Sequence, residues 1–528
     1  MSSRFQQFCE SRLAVALILV VFAVSVAVSW QGTHSVAVAD EISYVTGGVN
    51  LVTTGRFTNP FGEPELWFPP VYPVLIGLSS LGGWLDPFVV ARLLSVIAAA
   101  ATLLLFDRTT VLILSRAVES ATHQLRPRLV ACIATALLAT NPTFQIYASR
   151  ALSESLALCL SLLGLHLWLR QPTTFRSAGW SGLVIGLATL TRPECVLVLP
   201  LWCAIEVLRQ RDRRTMQRGL LASAVCVTSL LPYAAYLHEH TGRWTISNKS
   251  DVNLAAGRAA FFGTPREYID EDTLRLEYFP VDTSLTNELQ RFGHNCRKLV
   301  TAFTETYFRW WLASAVLCLM VSGAFVLWRR GDRRLVLCLL ASLPYLAIVA
   351  AYDVSGSKNL QLALPALSLF AATAIAVGLR SQRRVVVLLL CGVVGLLMLE
   401  GTTRFPRWTR SESFAAGSGL RDAGLRLRDA NLPPGVMYEF GATTAYYSGW
   451  ERRYLTPNRL ETVLAYIDQH EPANRAVYLT VSSNTQHAVH STTSRLLDEP
   501  RPQLELVLEL NSPEHVVVYR VDRPLKSE

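Results

Sequence analysis

The chain has 528 residues, 51% of them hydrophobic and only 17% charged, with a mean hydropathy of +0.29. Soluble globular proteins carry about a quarter charged residues, and the apolar residues here come in blocks long enough to cross a bilayer, which excludes a soluble enzyme and a disordered or fibrous chain. The net charge of +9 points in a membrane protein first to cytoplasmic loops and only second to a nucleic-acid surface.

The first apolar block, residues 13–30, follows Arg4 and Arg12. It is longer than a signal-peptide core and shows no small-x-small cleavage site, so an uncleaved first helix is expected. Further apolar blocks run at about 67–85, 88–106, 129–147, 154–169, 179–191, 195–208, 219–237, 310–328, 335–352, 360–379 and 385–400. Basic residues in the connections set the orientation. Arg209, Arg211, Arg213, Arg214 and Arg218 face only Asp212 in one loop, Arg329, Arg330, Arg333 and Arg334 flank Asp332 in another, and Arg380, Arg383 and Arg384 form a third group. Arg108, Arg116, Arg126 and Arg128 fill the 107–128 loop, and Arg170 and Arg176 the next. All these loops, and the N-terminus, are expected on the cytoplasmic side. Parity then requires one early block not to cross. The block at 67–85 opens with Trp67-Phe68-Pro69-Pro70 and holds Pro73, Gly77, Gly82 and Gly83, the composition of a re-entrant or interfacial helix. That leaves about eleven crossings, with the C-terminus outside.

The tail, 402–528, has a different pattern. Residues 420–430 and 460–469 read as helices, and 436–440, 476–481, 504–510 and 515–521 as strands. A transmembrane unit, 1–401, followed by a small extracytoplasmic α/β domain, 402–528, is expected. Of the ten cysteines, Cys132, Cys159, Cys203, Cys226, Cys318, Cys338 and Cys391 lie inside apolar blocks and none follows Cys391, so the spacing implies neither a disulfide framework nor a zinc site.

Under this topology the unusual polar residues collect at the outer face, where membrane carboxylates mark function. Asp40 and Glu41 follow the first span, with Tyr44 one helical turn on. Adjacent carboxylates point in different directions on a helix, and partial desolvation raises a carboxylate toward the range of a general base. Taken alone, the pair reads as an acidic loop. The ordered set Asp40-Glu41-Ile42-Ser43-Tyr44, Gly55-Arg56-Phe57 and Phe68-Pro69-Pro70-Val71-Tyr72-Pro73 is much less expected by chance. Ser149-Arg150-Ala151-Leu152-Ser153-Glu154 opens a span, as a cap with a dipole partner or as part of a site. In Thr189-Leu190-Thr191-Arg192-Pro193-Glu194, Arg192 either snorkels to the interface or holds a phosphate in its planar fork, and Lys358-Asn359 invites the same two readings. The outer loop, 238–309, carries Gly242-Arg243-Trp244, Ser247-Asn248-Lys249-Ser250, Asn253-Leu254 and Gly257-Arg258, suited to sugar hydroxyls and phosphate. His238-Glu239-His240 lacks a third metal ligand.

On these residues the chain resembles the GT-C superfamily of integral-membrane glycosyltransferases, in particular bacterial members related to protein O-mannosyltransferases and to the aminoarabinose transferases that modify lipid A. The resemblance spans the membrane part and rests most on the Asp-Glu pair and on Leu190-Thr191-Arg192-Pro193. It implies transfer of a sugar from a polyprenyl-phosphate donor to a lipid, glycan or protein acceptor at the outer face of a bacterial inner membrane. Asp40 would be the catalytic base of an inverting reaction. Glu41, Tyr44 and Glu154 would bind substrate, and Arg192 and Lys358 the leaving lipid phosphate. The need for a divalent metal is left open, and membrane lipids rather than nucleic acid are the expected surroundings. The chain departs from relatives that place Lys or His before Pro-Pro, where it has Phe68, and an Arg-Tyr pair where it has Lys358-Asn359-Leu360. The competing expectation is a lipid-linked sugar flippase or other transporter without chemistry. A transporter would place polar residues near the bilayer midplane, often within inverted repeats.

Overall fold

The computed structural model describes residues 11–32, 39–118, 126–170, 174–210, 212–248, 284–306, 310–329, 363–379, 418–430, 432–439, 443–454, 460–482, 503–511 and 515–522, with single positions or pairs at 254, 258, 261, 268–269, 276–277, 392 and 396. In chain order the bundle begins with α1 (Arg12–Gly32), α2 (Ala39–Thr54), α3 (Val71–Ser79), α4 (Pro87–Val118), α5 (Pro127–Ala139) and α6 (Pro142–Ser149). It continues with α7 (Glu154–Arg170), α8 (Phe175–Thr189), a 3-10 turn (Pro193–Leu197), α9 (Val198–Gln210) and α10 (Arg213–Thr241). After the short hairpin β1 (Tyr268–Ile269) and β2 (Leu276–Glu277) come α11 (Leu285–Thr306), α12 (Trp310–Arg329) and α13 (Leu364–Gly378). The expected spans at 335–352 and 385–400, the boundary at 401/402 and Lys358-Asn359 lie outside the described residues.

Among the described residues, two helical stretches are long and apolar enough to cross a membrane, Pro87–Ser115 and Arg213–Thr241, and a bent pair makes up to three. Further apolar helices are shorter, such as Ser314–Leu327 and Leu364–Gly378. The main core joins α1, α4, α5, α6, α7, α12 and α13 through Phe22, Leu103, Leu129, Phe144, Leu158 and Phe370. Small residues let backbones meet in this lipid-like setting. A side chain at Gly182 of α8, for instance, would collide with the Ala222 carbonyl of α10.

Two elements differ from the sequence reading. Residues 129–147 form not one rod but α5 and α6, bent by 61° at Asn141-Pro142, because Pro142 has no N–H to continue the ladder. Asn141 caps the second segment by accepting the Phe144 N–H, and Gln145 donates to the carbonyl of Ala139, 2.8 Å away. The helix begun at 88 runs on to Val118, so Arg108 and Arg116 lie in α4 rather than in a loop, and Asp107 pairs with Arg128 of α5 at 3.2 Å. Within the block at 67–85, read as a re-entrant or interfacial helix, α3 has nine residues, about 14 Å of helix against a hydrocarbon core of about 30 Å, too short to cross.

The C-terminal unit comprises α14 (Ser418–Asp429), β3 (Val436–Glu439), α15 (Thr443–Ser448), β4 (Glu451–Tyr454), α16 (Leu460–His470), β5 (Val477–Ser482), β6 (Leu504–Leu510) and β7 (Val516–Val521). Its five strands run in the order β4-β3-β5-β7-β6. The β3 pairings with β4 and β5 are parallel, and those of β7 with β5 and β6 antiparallel. One face packs Tyr438, Leu479 and Val517 against Val463 and Ile467 of α16. The other packs Met437, Tyr478 and Val518 against Leu427 of α14 and Ala445 of α15. Coverage on both faces explains why β3 and β5 are buried along their whole length, as parallel strands usually are.

Candidate functional site

Four chain segments meet at one end of the bundle. The first is α2, whose opening turn carries Asp40 and Glu41, where negative charge suits the helix dipole. Its partner is the turn between α6 and α7. The Glu41 carboxylate, 2% exposed, accepts the Ala151 N–H at 3.1 Å and lies 3.5 Å from Arg150 Nε. One turn along, the Tyr44 hydroxyl sits 2.9 Å from Ser153 Oγ. Burial, then the Glu154 and Asp40 carboxylates, push the Tyr44 phenol well above its ordinary range, so it stays protonated.

The third segment is the start of α3. Tyr44 packs against Phe68 at 4.7 Å and edge-on to Tyr72 at 5.2 Å. The Pro69-Pro70 opening leaves the Val71 N–H without a helical partner, and it donates to the Leu190 carbonyl at the end of α8, 3.1 Å away. Two helix ends thereby satisfy each other, which brings in the fourth segment, Thr191–Glu194. There Arg192 reaches Glu154 through Nη1 at 2.5 Å and Glu194 through Nη2 at 2.7 Å. Glu154 is 6% exposed, and its second oxygen, Oε2, has no hydrogen-bond partner among the described residues.

Asp40, Glu41, Tyr44, Glu154 and Arg192 thus gather around one cluster of side chains; Lys358 lies outside the described residues. These groups sit at helix ends rather than in mid-span. In the 238–309 segment, Trp244 stacks on His238 at 4.5 Å and Arg258 pairs with Glu288 at 2.8 Å. Lys249, Ser250, Asn253 and Gly257 are outside the described residues. Among the described residues, no three His, Cys, Asp or Glu side chains converge to hold a metal ion.

Three buried supports had not been singled out in the sequence. Arg92 of α4, 3% exposed, donates through Nε to the Ser149 carbonyl at 2.8 Å, and Ser95 donates to that of Leu152 at 3.1 Å. Glu65 accepts the N–H groups of Trp67 and Phe68, which aims the chain into α3. A lone arginine five residues into an apolar block was the available signal for the first.

The fold is shared with solved structures of ArnT and of an archaeal oligosaccharyltransferase. ArnT from Cupriavidus metallidurans in the apo state superposes with a TM-score of 0.61 at 12% identity, covering 96% of this chain and 98% of that one. The same protein bound to undecaprenyl phosphate matches at 0.57 and 13%, over 96% and 97%. The archaeal oligosaccharyltransferase AglB from Archaeoglobus fulgidus, in complex with an inhibitory peptide and a dolichol-phosphate, matches at 0.56 and 12%, over 89% and 70%. No protein-family profile and no curated protein sequence matches the chain.

Proposed function

We propose that this protein transfers a sugar from a polyprenyl-phosphate donor to a lipid, glycan or protein acceptor at the outer face of a bacterial inner membrane. The observation that carries the reading is the constellation of four carboxylates and two arginines at one end of a fold shared with ArnT, which has been seen with undecaprenyl phosphate. Asp40 is half-buried, whereas Glu41 and Glu154 are only 2% and 6% exposed. Asp40 is therefore assigned as the base. Its carboxylate takes the acceptor hydroxyl proton as that oxygen attacks the anomeric carbon, and the lipid phosphate departs from the opposite face with the bonding electrons, inverting the centre. Glu154 Oε2 accepts a hydroxyl of the bound sugar, and the protonated Tyr44 lines the same wall. Arg192, with Lys358, stabilises charge developing on the leaving phosphate. Glu41 holds the hinge that presents these groups.

The test is transfer by the purified chain in lipid nanodiscs from polyprenyl-phosphate sugars. Asp40→Asn is expected to abolish product while binding of the donor persists. Full turnover by that variant overturns the assignment, and donor crossing the bilayer with no product in the wild type would favour a flippase.

A further inference from the structure

The C-terminal domain meets the bundle beside the acidic pair. Tyr446 of α15 packs against the cluster built from Ile42, Tyr44 and Val45 of α2, Tyr72 of α3 and Ala151 of the hinge. Tyr447 stands edge-on to it at 5.2 Å, within electrostatic reach of Arg92, the residue that holds the Ser149 carbonyl. A second contact comes from β4. The Arg452 guanidinium, on a side chain 6% exposed, lies 3.8 Å from the centre of the Phe61 ring, a cation–π geometry that gains strength when dry. Phe61 belongs to the 57–65 loop, which rests on α2 through the hydrogen bond from Asn50 to Thr58 at 2.9 Å.

One buried carboxylate ties the two contacts together. Glu439, 2% exposed, accepts the Thr444 and Ala445 N–H groups at the start of α15, at 3.0 and 2.9 Å. It also lies 4.0 Å from Arg452 Nε. The tyrosine arm and the arginine arm are thus set by the same group, one reaching the first half of α2 and the other the loop that follows it.

We propose that the C-terminal domain completes the site, with Tyr446 and Arg452 as positioning residues that hold α2 and its loop, and through them Asp40 and Glu41, in register with the α6–α7 hinge. As positioning residues, each acts on the step that needs Asp40 in place rather than on donor affinity. The kinetic part rests on the glycosyl-transfer reading; the structural part does not.

Two measurements on the full chain in nanodiscs test it. Hydrogen–deuterium exchange over residues 39–54 is expected to quicken in Tyr446→Ala and Arg452→Ala and to stay unchanged in Asp40→Asn. In transfer assays, Tyr446→Ala is expected to lower kcat about tenfold with KM within about twofold, Tyr446→Phe to restore it, and Phe61→Ala combined with Arg452→Ala to cost no more than either alone. Where Tyr446→Ala does not fold, Tyr446→Leu supplies the same comparison. Unchanged exchange over 39–54 overturns the inference whatever the reaction, and quickened exchange with an unchanged kcat overturns the positioning role. A wild-type chain that transfers no sugar overturns the reading of function and leaves the exchange data to decide the docking.

Discussion

Asp40 and Glu41 are neighbours in sequence that differ in burial, the first half-buried and the second 2% exposed. Their adjacency, and the fact that successive helical side chains diverge by about 100°, was legible from the sequence. The burial of Glu41 was not, because the Ala151 N–H that it accepts lies 110 positions away. Glu41→Ala leaves that N–H and the Arg150 charge without their acceptor and is expected to cost about 2–3 kcal/mol, read as a lower unfolding temperature in detergent. Glu41→Gln keeps an acceptor oxygen and should lose less. Equal loss from the two would count against the hinge role. Arg192 shows the same limit. Its motif was visible, but its engagement by Glu154 and Glu194 at once depends on a helix start 38 positions earlier in the chain.

At the scale of elements, α2 and α3 lock through glycine. A side chain at Gly77 would meet the Gly48 carbonyl at 2.1 Å, and one at Gly48 would meet the Pro73 carbonyl at the same distance. Neither backbone atom can step aside, so Gly77→Ala is expected to destabilise the protein by about 1–3 kcal/mol and to reduce transfer by moving α3 off Tyr44. Retention of both wild-type stability and wild-type activity would refute the close packing. Most helices of the bundle were legible because apolar length marks them. The break between α5 and α6 was missed although Asn141-Pro142 announces it, since the apolar run continues on both sides. In the C-terminal domain α15 and β4 were missed for other reasons: six residues are too few to show a helical period, and the Glu451-Arg452-Arg453-Tyr454 strand is an edge, where charge is tolerated. Of those two unread elements, α15 packs on α2 and β4 on the 57–65 loop beside it.

Glu439 extends the element scale to pH. Burial pushes its carboxyl above the ordinary value of 4.5, against the pull of Arg452 and the N–H groups of Ala445 and Thr444. The folded value therefore exceeds the unfolded one. The stabilisation that this shift contributes is fully present below the unfolded value and is lost as pH rises through the folded value. The unfolding temperature of the wild type, relative to that of Glu439→Gln, should fall as pH is raised from below 4.5 through the weakly acidic range. A pH-independent difference would contradict the burial argument.

For the whole molecule, arginine counts in the loops orient the chain, and the proposed topology puts residues 402–528 outside and the N-terminus inside. Reporter fusions check it. Alkaline phosphatase joined after residue 528 should be active, and a cytoplasm-dependent fluorescent protein at the same place dark; the reverse pattern would invert the proposal. Architecture was legible because bilayer thickness restricts the elements that can cross. Contacts between the bundle and the C-terminal domain were not, because they join segments hundreds of residues apart and leave no period in the sequence.

The bend between α5 and α6 bears on how the protein is assembled. The Ala139 carbonyl, freed where Pro142 interrupts the helix, is satisfied by Gln145, and Gln145 is in turn met by Ser25 of α1 at 3.3 Å, beside the Phe22–Phe144 ring contact at 5.7 Å. In lipid, an unsatisfied backbone group costs several kcal/mol. The bent pair closes that backbone group within itself, and what it draws from α1 is the Ser25 hydroxyl on Gln145 Oε1 and the Phe22 ring. Because α1 precedes the pair in the chain, the partner that completes Gln145 is synthesised before it.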